Sequence, residues 1–361
     1  MKPRNVAIAC GVAGVAVGLA AATGIVYRKQ IKSAASLKRL TDYADGYDLY
    51  AIDIAYGYDL DRIIAADVRD DQAYIDAVLA QVLPGVPAHV QAPQFACSAF
   101  AAVDAEGRVR TGRNYDFKDD TSALLVRNHP RDGYASIGFA ALNNLGANAP
   151  LDSVAGRAAA LMGPFAQLDG VNECGVSIAV LTLDSKPCEQ DTQRPVINTS
   201  LAIRLVLDRA ATTQEAVDLL SAYDMHAMAG RDYHFFINDA AGDACVVEWD
   251  PRDPDRAFKA TPVRQVTNFY ACYEDEVLPN QKNGELGHGK ERATAIADVL
   301  DTHAGAQDEA AAWKALRAAA QKPNPDDITS NTQWSVVFDN TEPAVAITLR
   351  RHWGDVDAFA L

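Results

Sequence analysis

The chain has 361 residues, a formal net charge of -15 and 49% hydrophobic residues, enough apolar content for one large domain or two small ones with full cores. The acidic excess is spread along the chain, which excludes a nucleic-acid partner, because phosphate-backbone binding needs clustered Lys and Arg. The surplus carboxylates read as a solubilising surface.

Residues 6–27 form an apolar run of 22 residues rich in Ala, Val and Gly, with Lys2 and Arg4 before it and Arg28, Lys29 and Lys32 after it. Its length suits a spanning helix, while Ala20, Ala21 and Ala22 offer a signal-peptidase site, so residues 1–32 are expected to be a signal peptide or a membrane anchor. The basic residues after the run outnumber those before it, which by charge alone favours a cytoplasmic C-terminal side. The expectation is a membrane-anchored or secreted protein with an extracytoplasmic body, and a membrane partner only if the segment is not cleaved.

A leader follows at residues 33–96. It has a Tyr- and Asp-rich part and a helix-like run at 70–83 that ends at the breaker pair Pro84 and Gly85. From Cys97 the texture changes to short strands separated by Asp/Gly turns. Strands are predicted at 97–103, 108–115, 176–183, 233–238, 244–249, 263–267, 334–338 and 344–349. Helices are predicted at 198–210, after a capping box made by Thr212 and Glu215, at 291–303 and at 309–321. Hairpins interrupted by paired helices imply an α+β layered domain over residues 97–361.

Six cysteines lie at 10, 97, 174, 188, 245 and 272, without CxxC pairs or Cys/His clusters, and His226 and His234 fit no metal motif. Neither metal nor organic cofactor is expected. In an exported body Cys174 and Cys188 can be bridged, but nothing in the sequence fixes that pairing.

The informative stretch is CSAFAAVDAEGRVRTGRNYDF, which begins at Cys97. A hairpin centred on the turn Asp104, Ala105, Glu106, Gly107 sets Cys97 opposite residue 114, give or take one, and a slip of one residue reverses which side chains share a face. Arg113 can supply the cation a thiol needs to ionise near neutral pH. If the chain is cut before Cys97, the new α-amino group is a general base beside the thiol, and Asp116 can hold it.

This arrangement resembles the choloylglycine hydrolase group of N-terminal nucleophile hydrolases, which includes bile salt hydrolases, penicillin V acylases and the acid ceramidase-like amidases. In that group Arg follows the nucleophilic Cys by 16 positions and Asp by 19, in a GRN-x-D context, as Arg113 and Asp116 follow Cys97 here. Later segments match in order: DGVNECG with Asn172, the strand pair from Asp232 to Asp250, QVTNFY with Asn268, KERATAI with Arg292, and the closing pair TQWSVVFDNTEPAVAITLR.

The resemblance implies a four-layer αββα sandwich of antiparallel sheets, preceded by an apolar N-terminal helix and a leader. It implies that Cys97, Arg113, Asp116, Asn268 and Arg292 are catalytic, with Asn268 in the oxyanion hole, that Asn172 shapes the site, and that self-cleavage falls between Ala96 and Cys97. The expected activity is hydrolysis of a small-molecule N-acyl amide, whether an N-acyl lipid, an N-acyl amino acid or a conjugated bile salt, through an acyl-thioester. The chain departs from the bile salt hydrolases in having LTLDSK where they have an LNFPGN-like run, and in its 96 residues before Cys97, which look more like the ceramidase branch with its retained propeptide. Acyl transfer from the same acyl-enzyme is the alternative reaction, and a silent membrane-tethered binding protein the alternative class. Oligomeric state is not legible in the sequence.

Overall fold

A computed structural model describes residues 27–84, 96–146, 151, 153–282, 284–324 and 330–361. One half of it is built on β3 (Ala96–Val103) and β4 (Val109–Asp116), a hairpin in which nearly every side chain is buried. Burial on both faces requires cover on both faces, and the chain supplies a second sheet on one side and helices on the other.

The hairpin belongs to a six-stranded sheet, ordered β14 (Gln265–Val266), β3, β4, β17 (Thr332–Asp339), β18 (Ala344–Leu349) and β19 (Asp357–Ala360). Its outer face carries α7 (Lys290–Thr302) and α8 (Glu309–Ala319). Ile296, Leu300, Ala312, Ala315, Leu316 and Ala319 of these helices close over Phe100, Ala102 and Val337. The alanine stripe lets α8 approach the strands closely, and Asp308 caps that helix by accepting from the Ala311 N–H at 2.9 Å.

The second sheet has nine strands, ordered β1 (Lys38–Arg39), β2 (Leu49–Ile54), β5 (Ala123–Asn128), β6 (Ser136–Ala141), β7 (Gln167–Asn172), β8 (Ser177–Leu183), β11 (Asp232–Asn238), β12 (Ala244–Trp249) and β13 (Phe258–Pro262). All neighbours are antiparallel except β2 and β5. Helices α5 (Thr199–Arg209) and α6 (Thr213–Ser221) cover its outer face, and β6, β7, β8 and β11 pack against the six-stranded sheet. The result is helix, sheet, sheet, helix, the layering that the resemblance implies.

The leader is part of this architecture. Strand β2 is buried and extends the nine-stranded sheet, and α3 (Asp71–Val82) lies against the body. Three tyrosines of the leader reach body acceptors: Tyr56 Oη donates to the Leu161 carbonyl at 2.5 Å, Tyr74 Oη to the Phe165 carbonyl at 2.6 Å and Tyr58 Oη to Asp208 at 2.8 Å. Buried aromatic rings of this size bring a large apolar area out of water, and the hydroxyl partners avoid the cost of a stranded polar group.

Several expectations need correction. Most predicted strands and helices lie within two residues of the observed ones, but the strand at 263–267 shortens to Gln265–Val266. The segment holding Asn172, read as turn-like, is strand β7, with the turn following it at residues 173–175. Cys174 and Cys188 are free thiols. Apart from Tyr27, the apolar run lies outside the described residues; among the described residues no helix is long and apolar enough to cross a membrane.

Candidate active site

The β3–β4 connection determines which side chains share the thiol's face. It is one residue longer than a four-residue turn: the Gly107 N–H donates to Asp104 O and the Asp104 N–H to Arg108 O, both at 3.1 Å. Gly107 sits at φ 82°, a left-handed conformation that suits glycine in such a bulged hairpin. Asp104 Oδ1 accepts from the N–H groups of Glu106 and Arg108 at 3.1 and 2.8 Å and locks the turn. Cys97 therefore stands opposite Tyr115, and Ala99 opposite Arg113.

Alternation then sorts the site into two halves. Cys97, Arg113 and Tyr115 point between the sheets, whereas Asp116, opposite Ala96, points toward the helices. Arg113 Nη2 donates to Cys97 Sγ and to the Val180 carbonyl, both at 3.2 Å, and its Nε lies 3.0 Å from Asp169 Oδ2 on β7. The guanidinium rests 5.2 Å from the Tyr115 ring centroid, and that ring stacks on Trp334 at 4.1 Å. Arg113 and Asp169 are both fully buried, so each charge depends on the other.

On the helix side, Arg292 near the start of α7 gathers the remaining groups. Its Nη1 donates to the Cys97 carbonyl at 3.0 Å and to Asp116 Oδ2 at 3.3 Å, and its Nη2 to Asn268 Oδ1 at 2.7 Å. Asn268, on β15 (Asn268–Phe269), also accepts from the Cys97 N–H at 3.1 Å and donates Nδ2–H to the Thr182 carbonyl at 2.8 Å. Asp116 accepts further from Thr332 Oγ1 at 2.5 Å and from Gln321 Nε2 at 2.8 Å. Cys97, Arg113, Asp116, Asn268 and Arg292 thus form one connected cluster, in which the backbone N–H of the thiol residue is held as firmly as its side chain.

Burial governs the electrostatics. It pushes the Cys97 thiol up to about 12 against the pull of Arg113. It raises Asp169 to about 6, again opposed by Arg113, and raises Asp116 against Arg292 and its hydrogen bonds. In this closed, continuous chain the thiol is protonated at neutral pH.

Asn172 is not brought into the cluster. Its Nδ2 donates to the Ala210 and Leu207 carbonyls at 2.7 and 3.2 Å, and its Oδ1 accepts from the Cys174 and Val176 N–H groups at 3.1 and 3.0 Å, so it ties the β7–β8 turn to the end of α5. The residue of that motif that reaches the site is Asp169, which sequence reasoning missed. Its signal was the Asp of DGVNECG, passed over because the stretch was read as a turn. Among the described residues, no group of three or more His, Cys, Asp or Glu side chains is arranged to hold a metal ion.

A mostly apolar cleft lies around Val180, with neither Cys97 nor Arg113 in its lining. Val180, whose carbonyl Arg113 engages, lines it with Phe165, Leu168, Ile203 and Tyr233. Tyr74 and Ile75 of the leader form another wall.

Among solved structures the chain is similar in fold to a penicillin V acylase from Agrobacterium tumefaciens, at 20% identity and a TM-score of 0.52, over 70% of this chain and 83% of that one. It is also similar to a mutant of the conjugated bile acid hydrolase from Clostridium perfringens, at 14% identity and a TM-score of 0.56, over 73% of this chain and 92% of that one. No curated protein is detectably similar in sequence. A family model for acyl-coenzyme A:6-aminopenicillanic acid acyl-transferase matches residues 103–352, which takes in Arg113, Asp116, Asn268 and Arg292 and starts just after Cys97. With more than half of the chain and four of the five clustered side chains inside that match, the chain belongs to the acyl-coenzyme A:6-aminopenicillanic acid acyl-transferase family.

Proposed function

We propose that this chain is a self-processing cysteine amidase acting on linear amide bonds of N-acyl compounds. The observation that carries the reading is the double grip on Cys97, whose Sγ is held by Arg113 while its own N–H and carbonyl are held by Asn268 and Arg292. A structural thiol needs only its side chain packed. A residue whose backbone nitrogen becomes the general base needs that nitrogen aimed as well.

In self-cleavage, Cys97 Sγ attacks the Ala96 carbonyl carbon, the Ala96–Cys97 amide bond breaks as the thioester forms, and the released nitrogen takes the thiol proton. Water then cleaves the thioester, leaving a carboxylate on Ala96 and a free α-amine on Cys97. In turnover that amine receives the thiol proton, the thiolate adds to a substrate amide carbonyl, and the oxyanion is held by the second Nδ2 hydrogen of Asn268 with a backbone N–H. The α-ammonium passes its proton to the leaving amine. Water then attacks the acyl-thioester, releasing the acid and restoring the thiol.

The apolar cavity lined by Val180 suits the acyl group of an N-acyl lipid, N-acyl amino acid or conjugated bile salt. Residues 33–96 are read as a propeptide that stays bound as a small subunit, consistent with the place of β2 in the sheet. Residues 1–32 are read as the signal peptide or anchor of a membrane-bound or secreted protein. The family's description also favours a second reading, in which an amine instead of water takes the acyl group from Cys97. Added amine acceptors that divert product from acid to amide would support it.

The deciding measurement is intact mass with N-terminal sequencing of the wild type and Cys97→Ala. Wild type is expected to yield a fragment starting at Cys97 and the variant to stay whole. A wild-type chain still continuous through Ala96 and Cys97 would sink the self-processing claim.

A further inference from the structure

His234 on β11 and Glu248 on β12 meet in the interior, and neither side chain has any exposed surface. The steps above use neither. The imidazole Nδ1 lies 3.3 Å from Glu248 Oε2, and Nε2 lies 2.9 Å from the Thr267 carbonyl. Glu248 also accepts from the Ala271 N–H at 3.0 Å and from the Cys272 N–H at 2.7 Å. The pair thus grips the residue just before Asn268 and two residues shortly after it.

Thr267 has a second duty. Its hydroxyl donates at 2.8 Å to the carbonyl of Gly289, the residue at which α7 begins. Gly289 lies at φ 87°, and a Cβ there would come within 2.5 Å of Arg292 Nη2 and 2.8 Å of Thr267 Oγ1. Asn268 and the start of the Arg292 helix are therefore joined at Thr267, and the Thr267 carbonyl is held by His234.

Proton accounting makes the grip specific. A carbonyl only accepts, so Nε2 carries a hydrogen toward Thr267. The contact between Nδ1 and Glu248 then requires one more proton, on the ring or on the carboxyl. In both forms the pair has no net charge, as full burial favours.

We propose that the His234–Glu248 pair positions Asn268 and Arg292 for the amide-cleaving reaction by fixing the backbone at Thr267, Ala271 and Cys272. The proposal rests on the cysteine amidase reading of Cys97. The pair contacts neither the thiol nor the cavity that receives the acyl group, so its loss acts on turnover and spares binding. Misplacing a catalytic group by about 1 Å is enough to slow turnover about a hundredfold.

The test uses the full chain with H234F, H234Q, E248L and E248Q. The readouts are kcat and KM on a chromogenic N-acyl anilide, the first-order rate of self-cleavage, the iodoacetamide alkylation rate of Cys97 and the thermal midpoint. H234F and E248L are expected to lower kcat and the self-cleavage rate about a hundredfold while KM and the alkylation rate hold. H234Q, whose amide N–H reaches the same carbonyl, is expected to recover most of the loss. Folded variants with wild-type kcat, or variants whose KM and alkylation rate move along with kcat, would overturn the proposal. If H234F and E248L do not fold, E248Q decides: it keeps the side-chain shape but loses one acceptor, and wild-type kcat in that variant overturns the idea equally. A wild type with neither self-cleavage nor turnover removes the amidase reading itself, and this is scored before any variant is made.

Discussion

Arg292 donates to the Asn268 side-chain oxygen at 2.7 Å, and that contact fixes which way the Asn268 amide points. With Oδ1 held by Arg292 and by the Cys97 N–H, Nδ2 faces the Thr182 carbonyl; a flipped amide would set donor against donor and acceptor against acceptor. Arg292→Leu is therefore expected to slow self-cleavage about a hundredfold, and Asn268→Ala about as much, with little added loss in the double variant because both changes break one unit. The rate at which the Cys97 N-terminus appears, followed by mass spectrometry, measures this. Additive losses would show that the two residues act independently.

Arg113 and Asp169 make a different prediction, because both are fully buried and paired at 3.0 Å. Arg113→Met leaves the Asp169 carboxylate without its partner, which is expected to cost about 3 to 5 kcal/mol in denaturant unfolding. Arg113→Met with Asp169→Leu should regain much of that stability while the thiol stays unreactive, since no cation remains at Sγ. Lysine is no substitute, because a single ammonium lacks the fork that spans Sγ, the Val180 carbonyl and Asp169 together. A stable and fully active Arg113→Lys variant would contradict this assignment.

How far the site was legible depended on whether its signals were local. The spacings of 16 and 19 residues placed Arg113 and Asp116 near Cys97, but a four-residue turn put residue 114 opposite the thiol. The added residue with Gly107 at φ 82° moves Tyr115 there and swings Arg113 onto the thiol's face. Asn268 and Arg292 were recognisable from ordered motifs, although no periodicity joins residues that far from Cys97 in the chain. Asp169 was lost because a buried strand and a turn are hard to tell apart in a stretch such as QLDGVN. The parallel partnership of β2 with β5 was invisible for a related reason: long-range pairing leaves no local pattern, β2 lay in the Tyr- and Asp-rich part of the leader, and β5 was not among the predicted strands.

The closed site predicts an unusual pH dependence for the thiol. Burial raises Cys97 to about 12, so at each pH below that value it holds less thiolate than a free cysteine near 8.5. In a variant blocked in cleavage, such as Asn268→Ala, alkylation of Cys97 should be slow at pH 7 and still rising at pH 10. A plateau near pH 8.5 would mean that the thiol is solvated before cleavage. Asp169 works in the same direction on stability. Its folded value of about 6 lies above the ordinary 3.8, so between those values the folded chain binds more protons than the unfolded one. Its contribution to stability is accordingly full below about pH 4 and is lost as pH rises through 6. Asp169→Asn should flatten the slope of unfolding free energy against pH across that window.

The leader's packing bears on what remains after a cut before Cys97. Strand β2 pairs along its length with β5, and Tyr56, Tyr58 and Tyr74 place their hydroxyls on body acceptors. Losing the leader would uncover the edge of β5 and the wall that Tyr74 and Ile75 give the apolar cleft around Val180, an exposed apolar edge of the kind that drives aggregation. The two pieces are therefore expected to migrate together on gel filtration and to separate only in denaturant. Expression of residues 97–361 alone should give aggregated protein. Tyr74→Ala should keep the pieces together, since β2 still pairs, but widen the cavity and shift the preferred acyl chain toward greater length, read as a change in KM across an acyl-length series. A leader that dissociates under native conditions, leaving a soluble body, would show that the contacts of β2 and the three tyrosines do not hold the fold.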